Sequence, residues 1–416
     1  MWIYFLLIRI AALFGHKKAR AMVRGQRETL KRDLSGCQGC VWIHAASVGE
    51  FEQARPLIEK LKSKNEKLKI VVTFFSPSGY EAHKDYDQAD AVLFLPFATR
   101  RNALKWLEAV QPQMAIFVKY EFWPAYLRAL KKRDIPTYCI SAIFRPQQYF
   151  FRWWGKGQLR LLRCFTHLYV QDEASLRLLT EHGVHQASVA GDTRFDRMAE
   201  VRRERVNQLT NERLLPMALF AEGCERVIVA GSTWPKDEEL LLHYLNQLNE
   251  ETDLPPVKLI LVPHEIDAAH LHYIFNLFQG RYVSYSAVSG RIPKTSQQDI
   301  LRRAEVLVVD TIGLLSSTYH YGQVAYIGGG FGEGIHNTVE AAAYGMPVLF
   351  GPNYHHFREA EGLIAAGAAR SVKNGEELFT AMNEALNDHT TIGEKAAAYV
   401  ENELGATEKI YNEIFK

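Results

Sequence analysis

From residue 40 onward, short apolar runs rich in Val, Ile and Phe alternate with amphipathic stretches, and the alternation occurs twice along the chain. Expected strands lie at 40–46, 68–75, 91–97, 114–119, 136–142 and 166–171, with helical spacing between them, as in Glu50–Ser63 and Asn102–Val110. The pattern pauses over a charged helical segment at 198–222. It resumes with strands at 226–231, 257–262, 305–309, 323–328 and 347–350. A strand that is apolar along its whole length must be covered on both faces, and a parallel sheet between helix layers does this. The sequence therefore predicts an α/β chain of two doubly wound domains in tandem, meeting near residue 200. When two such domains face each other, ligands bind in the cleft beyond the carboxyl ends of the strands.

A chain of 416 residues is long enough for two domains of this kind. Its formal charge is only +2, from 49 basic and 47 acidic side chains, which argues against a protein built to hold nucleic acid. That total hides an asymmetry. Residues 1–33 carry eight basic side chains and two acidic ones, a local +6, so the remainder is −4. Five scattered cysteines, an odd number, suggest free thiols in a reducing compartment. Cys37-Gln-Gly-Cys40 has redox or half-zinc spacing, but no second pair completes a site.

Trp2–Gly15 is apolar except for Arg9. As a helix it would reach about 21 Å, short of the ~30 Å hydrocarbon core of a bilayer. A cleaved signal peptide carries its positive charge ahead of the apolar run, whereas here the charge follows. Trp2, Tyr4 and Phe5 at one end and a basic cluster at the other suit a helix lying in an anionic cytoplasmic leaflet. An amphipathic helix packed on the body explains the same residues.

Several strand ends carry chemistry. His44-Ala45-Ala46-Ser47-Val48-Gly49-Glu50 runs from a strand through a small-residue turn into a helix. Ser47 and Glu50 have capping-box spacing; Glu50 is equally placed as a general base. Glu121, ahead of Phe122-Trp123-Pro124, is a carboxylate at another strand end, or an exposed charge opening a helix. Arg194 could meet an anion, or form an interdomain salt bridge with Asp192 or Asp196.

In the second half, Gly231-Ser232-Thr233 and Asp310-Thr311-Ile312-Gly313 read as strand-to-helix turns whose N–H groups suit phosphate, although capping explains the first equally. The loop Gly328–Gly334 fits neither a dinucleotide fingerprint nor a nucleoside-triphosphate loop. Asn337-Thr338-Val339-Glu340 again has capping-box spacing and could also cradle a diphosphate. His264, His336, His355 and His356 lack metal-site spacing, and no metal is expected. In 143–163, Arg145, Arg152, Trp153 and Trp154 form an aromatic and basic stretch suited to a membrane interface holding an anionic lipid, to stacking on bases, or to ordinary partial burial.

Together these residues resemble the 3-deoxy-D-manno-octulosonic acid (Kdo) transferases of lipopolysaccharide synthesis, along the whole chain. The resemblance implies a GT-B type fold: an N-terminal membrane-anchoring segment (1–33), a Rossmann-like acceptor domain (34–200) and a Rossmann-like donor domain (201–416). The last helix would be able to pack back on the first domain. It implies an enzyme without cofactor or metal that moves Kdo from CMP-Kdo to a sugar hydroxyl of a lipid A precursor, with inversion, on the cytoplasmic face of the bacterial inner membrane. Glu50 falls on the family's catalytic base. Glu121 and Arg194 fall on residues used near the transition state, the latter commonly Lys. Donor binding is implied for Ser232, Pro263, His264, Ile312, Gly313, Leu314, Gly330, Asn337, Thr338, Val339 and Glu340. Ser47, Gly49, Arg145, Arg152, Trp153 and Trp154 are expected on the acceptor and membrane side. The chain departs from the family where Val262-Pro263-His264-Glu265 replaces Val-Pro-Arg-His and where Gly313-Leu314 replaces Gly-Glu. Two rival readings are another GT-B enzyme of the lipid-A-disaccharide synthase or epimerase type, and a non-enzymatic module binding anionic lipid.

Overall fold

A computed structural model describes residues 2–206, 212–251, 254–289 and 294–416. The chain forms two compact units, one of residues 1–197 with 403–416 and one of residues 198–402.

In the first unit, helices α1 (Trp2–Leu13) and α2 (Lys17–Thr29) precede a regular alternation. It runs β1 (Val41–His44), α3 (Val48–Lys64), β2 (Ile70–Phe74), α4 (Pro77–His83), β3 (Ala91–Phe94), α5 (Arg100–Val110), β4 (Met114–Val118) and α6 (Pro124–Lys132). It continues through β5 (Thr137–Ala142), α7 (Lys156–Leu162), β6 (His167–Val170), α8 (Glu173–Glu181), β7 (Ala187–Val189) and the first residues of α9 (Thr193–Val206), the rest of which belongs to the second unit. The strands are parallel, in the order β3-β2-β1-β4-β5-β6-β7. Alternate residues serve opposite layers. Trp42, Val71, Ala115 and Phe117 join one core, and Val41, Ile43, Val72 and Ile116 the other. That division is why the strands read as unbroken apolar runs. The sequence reverses between β1 and β4, and their carboxyl ends form the switch point where doubly wound sheets bind ligands.

Helices α1 and α2 close the first of these layers. Phe5, Ile8, Ala19 and Met22 are buried in it. Gly25 is required there, since a Cβ would lie 2.2 Å from the Phe94 ring. Tyr4, Leu6, Leu7, Ile10, Leu13 and Phe14 stay exposed. Among the described residues no helix is long and apolar enough to cross a membrane.

The second unit holds α10 (Leu215–Ala221), β8 (Val227–Thr233), α11 (Pro235–Glu250), β9 (Lys258–Pro263), β10 (Tyr282–Ser284), β11 (Val306–Val308), β12 (Val324–Ile327), β13 (Val348–Phe350) and β14 (Ala369–Ser371). Its parallel order is β10-β11-β9-β8-β12-β13-β14, with a switch point between β8 and β12. Strands β7, β10 and β14 were not legible. Each is three residues long and none is fully buried, so they lack the apolar signal that marks the others.

Two local expectations are corrected. Gly231-Ser232-Thr233 is not a turn: it is the end of β8, and α11 is capped one residue later, at Trp234. Ser232 takes φ 55° at a register shift between Gly231 and Thr233, and such a bulge prolongs the strand. Asn337 and Glu340 do not form a capping box. Thr338 is the cap residue without a side-chain cap bond, while the Asn337 amide accepts from Val339 N and donates to Glu340 Oε1.

Candidate active site

The switch point of the first unit gathers the chemistry. Ser47 caps α3, and Glu50 completes the box: its Oε2 accepts from Ala46 N at 2.6 Å and Ser47 N at 3.2 Å. Of the two roles weighed for Glu50, the cap is thus present, and it fixes the carboxylate at the end of β1. From the neighbouring strand, Lys119 takes φ 61° just past β4 and turns the chain toward Glu121. Glu121 Oε2 lies 3.2 Å from His44 Nε2 and accepts from Trp123 Nε1. His44, fully buried, is fixed by Thr73, whose carbonyl and hydroxyl both lie 3.0 Å from Nδ1.

Electrostatics join these residues. Removal from water, and then the nearby Glu121 carboxylate, push Glu50 up to about 7, against the pull of the Ala46 and Ser47 N–H groups and of Lys119. The Cys139 thiol is pushed up by burial and then by the same two carboxylates. The result is a carboxylate that changes protonation near neutral pH, the range that suits a general base.

Arg194 is held differently. Its Nε donates to Asp192 Oδ2 at 2.9 Å, while Gln53 Nε2 donates to Asp192 Oδ1 at 2.8 Å. Burial would raise Asp192, but the Arg194 guanidinium and these hydrogen bonds keep it below the usual carboxylate range. A salt bridge with Asp192 is thus present, but it lies within the first unit and is not the interdomain bridge expected. Asp196 instead accepts from Gly405 N and Thr407 N, both at 2.7 Å. Since Gln53 stands one turn after Glu50 on α3, that helix sets the position of both Glu50 and Arg194.

The second unit offers a separate surface at its own switch point. Trp234, His264 and His336 stack in series, with ring centroids 4.8 and 4.2 Å apart. Trp234 Nε1 donates to His336 Nε2 at 3.2 Å; burial, and then His264, lower His336 to about 4. Buried Asp237 ties this corner together by accepting from Trp234 N, Gly329 N and Tyr326 OH. The glycines of 328–330 answer to the protein's own backbone: a Cβ at Gly328 would meet Ser232 O, and one at Gly330 would meet Gly351. Pro263 is buried at the end of β9. Ile312 is 79% exposed beside Gly313 at φ 83°, whereas the Leu314 side chain is buried. Thr338 and Val339 are buried as well, so their side chains serve packing. Among the described residues no group of three or more His, Cys, Asp and Glu is arranged to hold a metal ion.

Of the residues expected on the acceptor and membrane side, Gly49 faces open space, Arg152 is exposed and Trp153 is 83% exposed. Arg145 N donates to Gln148 Oε1. The side chains of Trp2 and Trp154 lie outside the described residues. His44, Trp123, Gln53, Trp234 and Asp237 were not singled out from the sequence. Only His44 and Trp123 had a signal available, as neighbours of the two glutamates.

Two parallel seven-stranded sheets with their helices define a two-domain α/β fold of GT-B-like kind. It resembles, for example, UDP-GlcNAc 2-epimerase from Neisseria meningitidis, with TM-score 0.62 over 89% of this chain and 98% of that one, at 17% identity. Residues 14–197 match the family model described as 3-deoxy-D-manno-octulosonic-acid transferase (kdotransferase). The chain is 27% identical over 397 residues, 94% of its length and 79% of the other's, to the 3-deoxy-D-manno-octulosonic acid transferase of Rickettsia prowazekii. It is 28% identical to that of Aquifex aeolicus, over 87% of this chain and 92% of the other. Over most of its length the chain is thus similar to the Kdo transferases.

Proposed function

We propose that the protein transfers Kdo from CMP-Kdo to a sugar hydroxyl of a lipid A precursor, with inversion and with Glu50 as general base. The observation that carries this reading is Glu50 itself, a carboxylate at a topological switch point, shielded from water beside Glu121 and raised to about 7. In the step proposed, Glu50 takes the proton of the acceptor hydroxyl as its oxygen attacks the anomeric carbon of Kdo. The bond from that carbon to the CMP phosphate oxygen breaks, and CMP leaves with the electron pair. Glu121 keeps Glu50 basic enough to accept the proton, and Arg194 is held in place by Asp192. The second unit holds the donor at the ends of β8, β9 and β12, using Ser232, His264, Gly313 and the 337–340 turn. Backbone N–H groups and basic side chains there take the charge of the departing phosphate, with no metal ion.

The same reading lays α1 in the cytoplasmic leaflet of the bacterial inner membrane, with its exposed Leu and Phe side chains in the acyl region. The basic residues of α2 then meet anionic headgroups.

The test is incubation with CMP-Kdo and a tetraacylated lipid A precursor, with product mass read by mass spectrometry. Wild type is expected to add Kdo and release CMP, and Glu50→Ala to lose about 10²–10⁴-fold in turnover while still binding CMP. Full turnover in Glu50→Ala would remove the assignment.

A further inference from the structure

A second cavity of the first unit, with a volume of about 820 Å³, lies between α5 and α6 and is used by none of the residues assigned above as base, donor site or membrane face. Its size is that of a pocket for a small organic ligand. Three basic side chains line it: Arg100 in the first turn of α5, and Arg128 and Lys132 on α6. No carboxylate lines it, and these three have no acidic partner among the described residues. The rest of the lining is largely apolar and includes Leu104, Phe122 and Ala129.

Neighbours of the cavity's lining lead toward Glu121 and toward α1. Phe122 and Pro124 line it, and Trp123 between them donates to Glu121. On its other side Ala98 and Thr99 line it, and the preceding residue, Phe97, stacks at 4.7 Å on Phe5 of α1. The lining therefore combines three exposed cations with apolar side chains, near a helix whose outer face is apolar. A free phosphate would use only the cations. An uncharged acyl chain would use only the apolar lining. A ligand that joins the two satisfies both demands.

We infer that this pocket binds a phosphomonoester carried on an acylated molecule, with the phosphate at Arg100, Arg128 and Lys132 and an acyl chain against Leu104, Phe122 and Ala129. This rests on the proposed function in one respect: the acylated molecule would be the acceptor, held by a group remote from the hydroxyl that reacts.

The test measures binding and turnover separately on the full chain. Short-chain phosphatidate is titrated by calorimetry, with phosphatidylcholine of the same chain length and inorganic phosphate as controls. Wild type is expected to bind phosphatidate at least ten-fold more tightly than either control, and Arg100→Ala/Arg128→Ala/Lys132→Ala to lose that preference. Ala129→Phe, which fills the apolar end, should weaken phosphatidate alone. With acceptor, the triple variant should raise the acceptor KM at least ten-fold and leave the CMP-Kdo KM unchanged. Wild-type phosphatidate affinity in the triple variant would overturn the inference. So would inorganic phosphate that binds as tightly as phosphatidate, which would make this an anion site only. Loss of phosphatidate binding in the triple variant of a protein that transfers no Kdo would uphold the pocket and remove the proposed function. Kdo transfer with an unchanged acceptor KM in that variant would do the reverse.

Discussion

Two carboxylates near one another and sheltered from water resist ionising together, and Glu50 carries the cost. Its base form grows as pH rises through about 7, so kcat/KM for the acceptor should climb across that value and level off above it. Replacing Glu121 by Gln removes one of the causes that raise Glu50, and the rising limb should move to lower pH; an unmoved limb in a pH–rate profile would separate the pair. Stability must respond in the opposite sense. In the unfolded chain Glu50 returns to its ordinary value of 4.5, so its contribution to folding is complete below that value and lost as pH rises through 7. Glu50→Gln should therefore be more stable than wild type at pH 8 by up to ~3 kcal/mol in urea unfolding, and gain nothing at pH 4. The motif around Glu50 was readable because strand, small-residue turn and cap are local. Its partnership with Glu121 was not, because 70 intervening residues are brought together only by the β1–β4 pairing.

Helix α3 shows how much rests on one element. Ser47→Ala should cost about 1 kcal/mol, the usual value of a lost cap. It should also lower turnover, since Ser47 belongs to the box that holds Glu50. A variant equally stable and equally active would show that the cap does not position the base. Helix α2 depends on a single missing side chain. At Gly25 an added methyl would collide with Phe94, so Gly25→Ala should lower stability by about 1–3 kcal/mol and loosen α1 and α2 to protease before the sheet is cut. Long strands and capped helices were legible because period and cap leave their marks within a few residues. Ser232 was misread because a strand that continues through a left-handed bulge looks, in sequence, like a strand that stops. Asn337 and Glu340 were misread because the spacing of a box does not dictate which residue begins the helix.

Across the whole molecule, charge and chain order give separate expectations. The +6 of residues 1–33 against the −4 of the rest should make flotation with anionic vesicles fall steeply with added salt. Leu13→Glu/Phe14→Glu should weaken flotation even at low salt. Equal flotation with neutral vesicles would place the attraction in the apolar face alone. The return of residues 403–416 to the first unit rests on visible contacts: Ile410 is buried in its core, and Asp196 clasps Gly405 and Thr407. Cutting the chain after 402 should lower the thermal stability of the first unit, as seen by proteolysis of its sheet. That return also bears on synthesis. A ribosome releases the first unit early but supplies its closing helix only after residues 198–402, a delay of roughly 10–40 s at ordinary elongation rates. For that interval the apolar face that Ile410 covers in the folded protein stays open on the nascent chain.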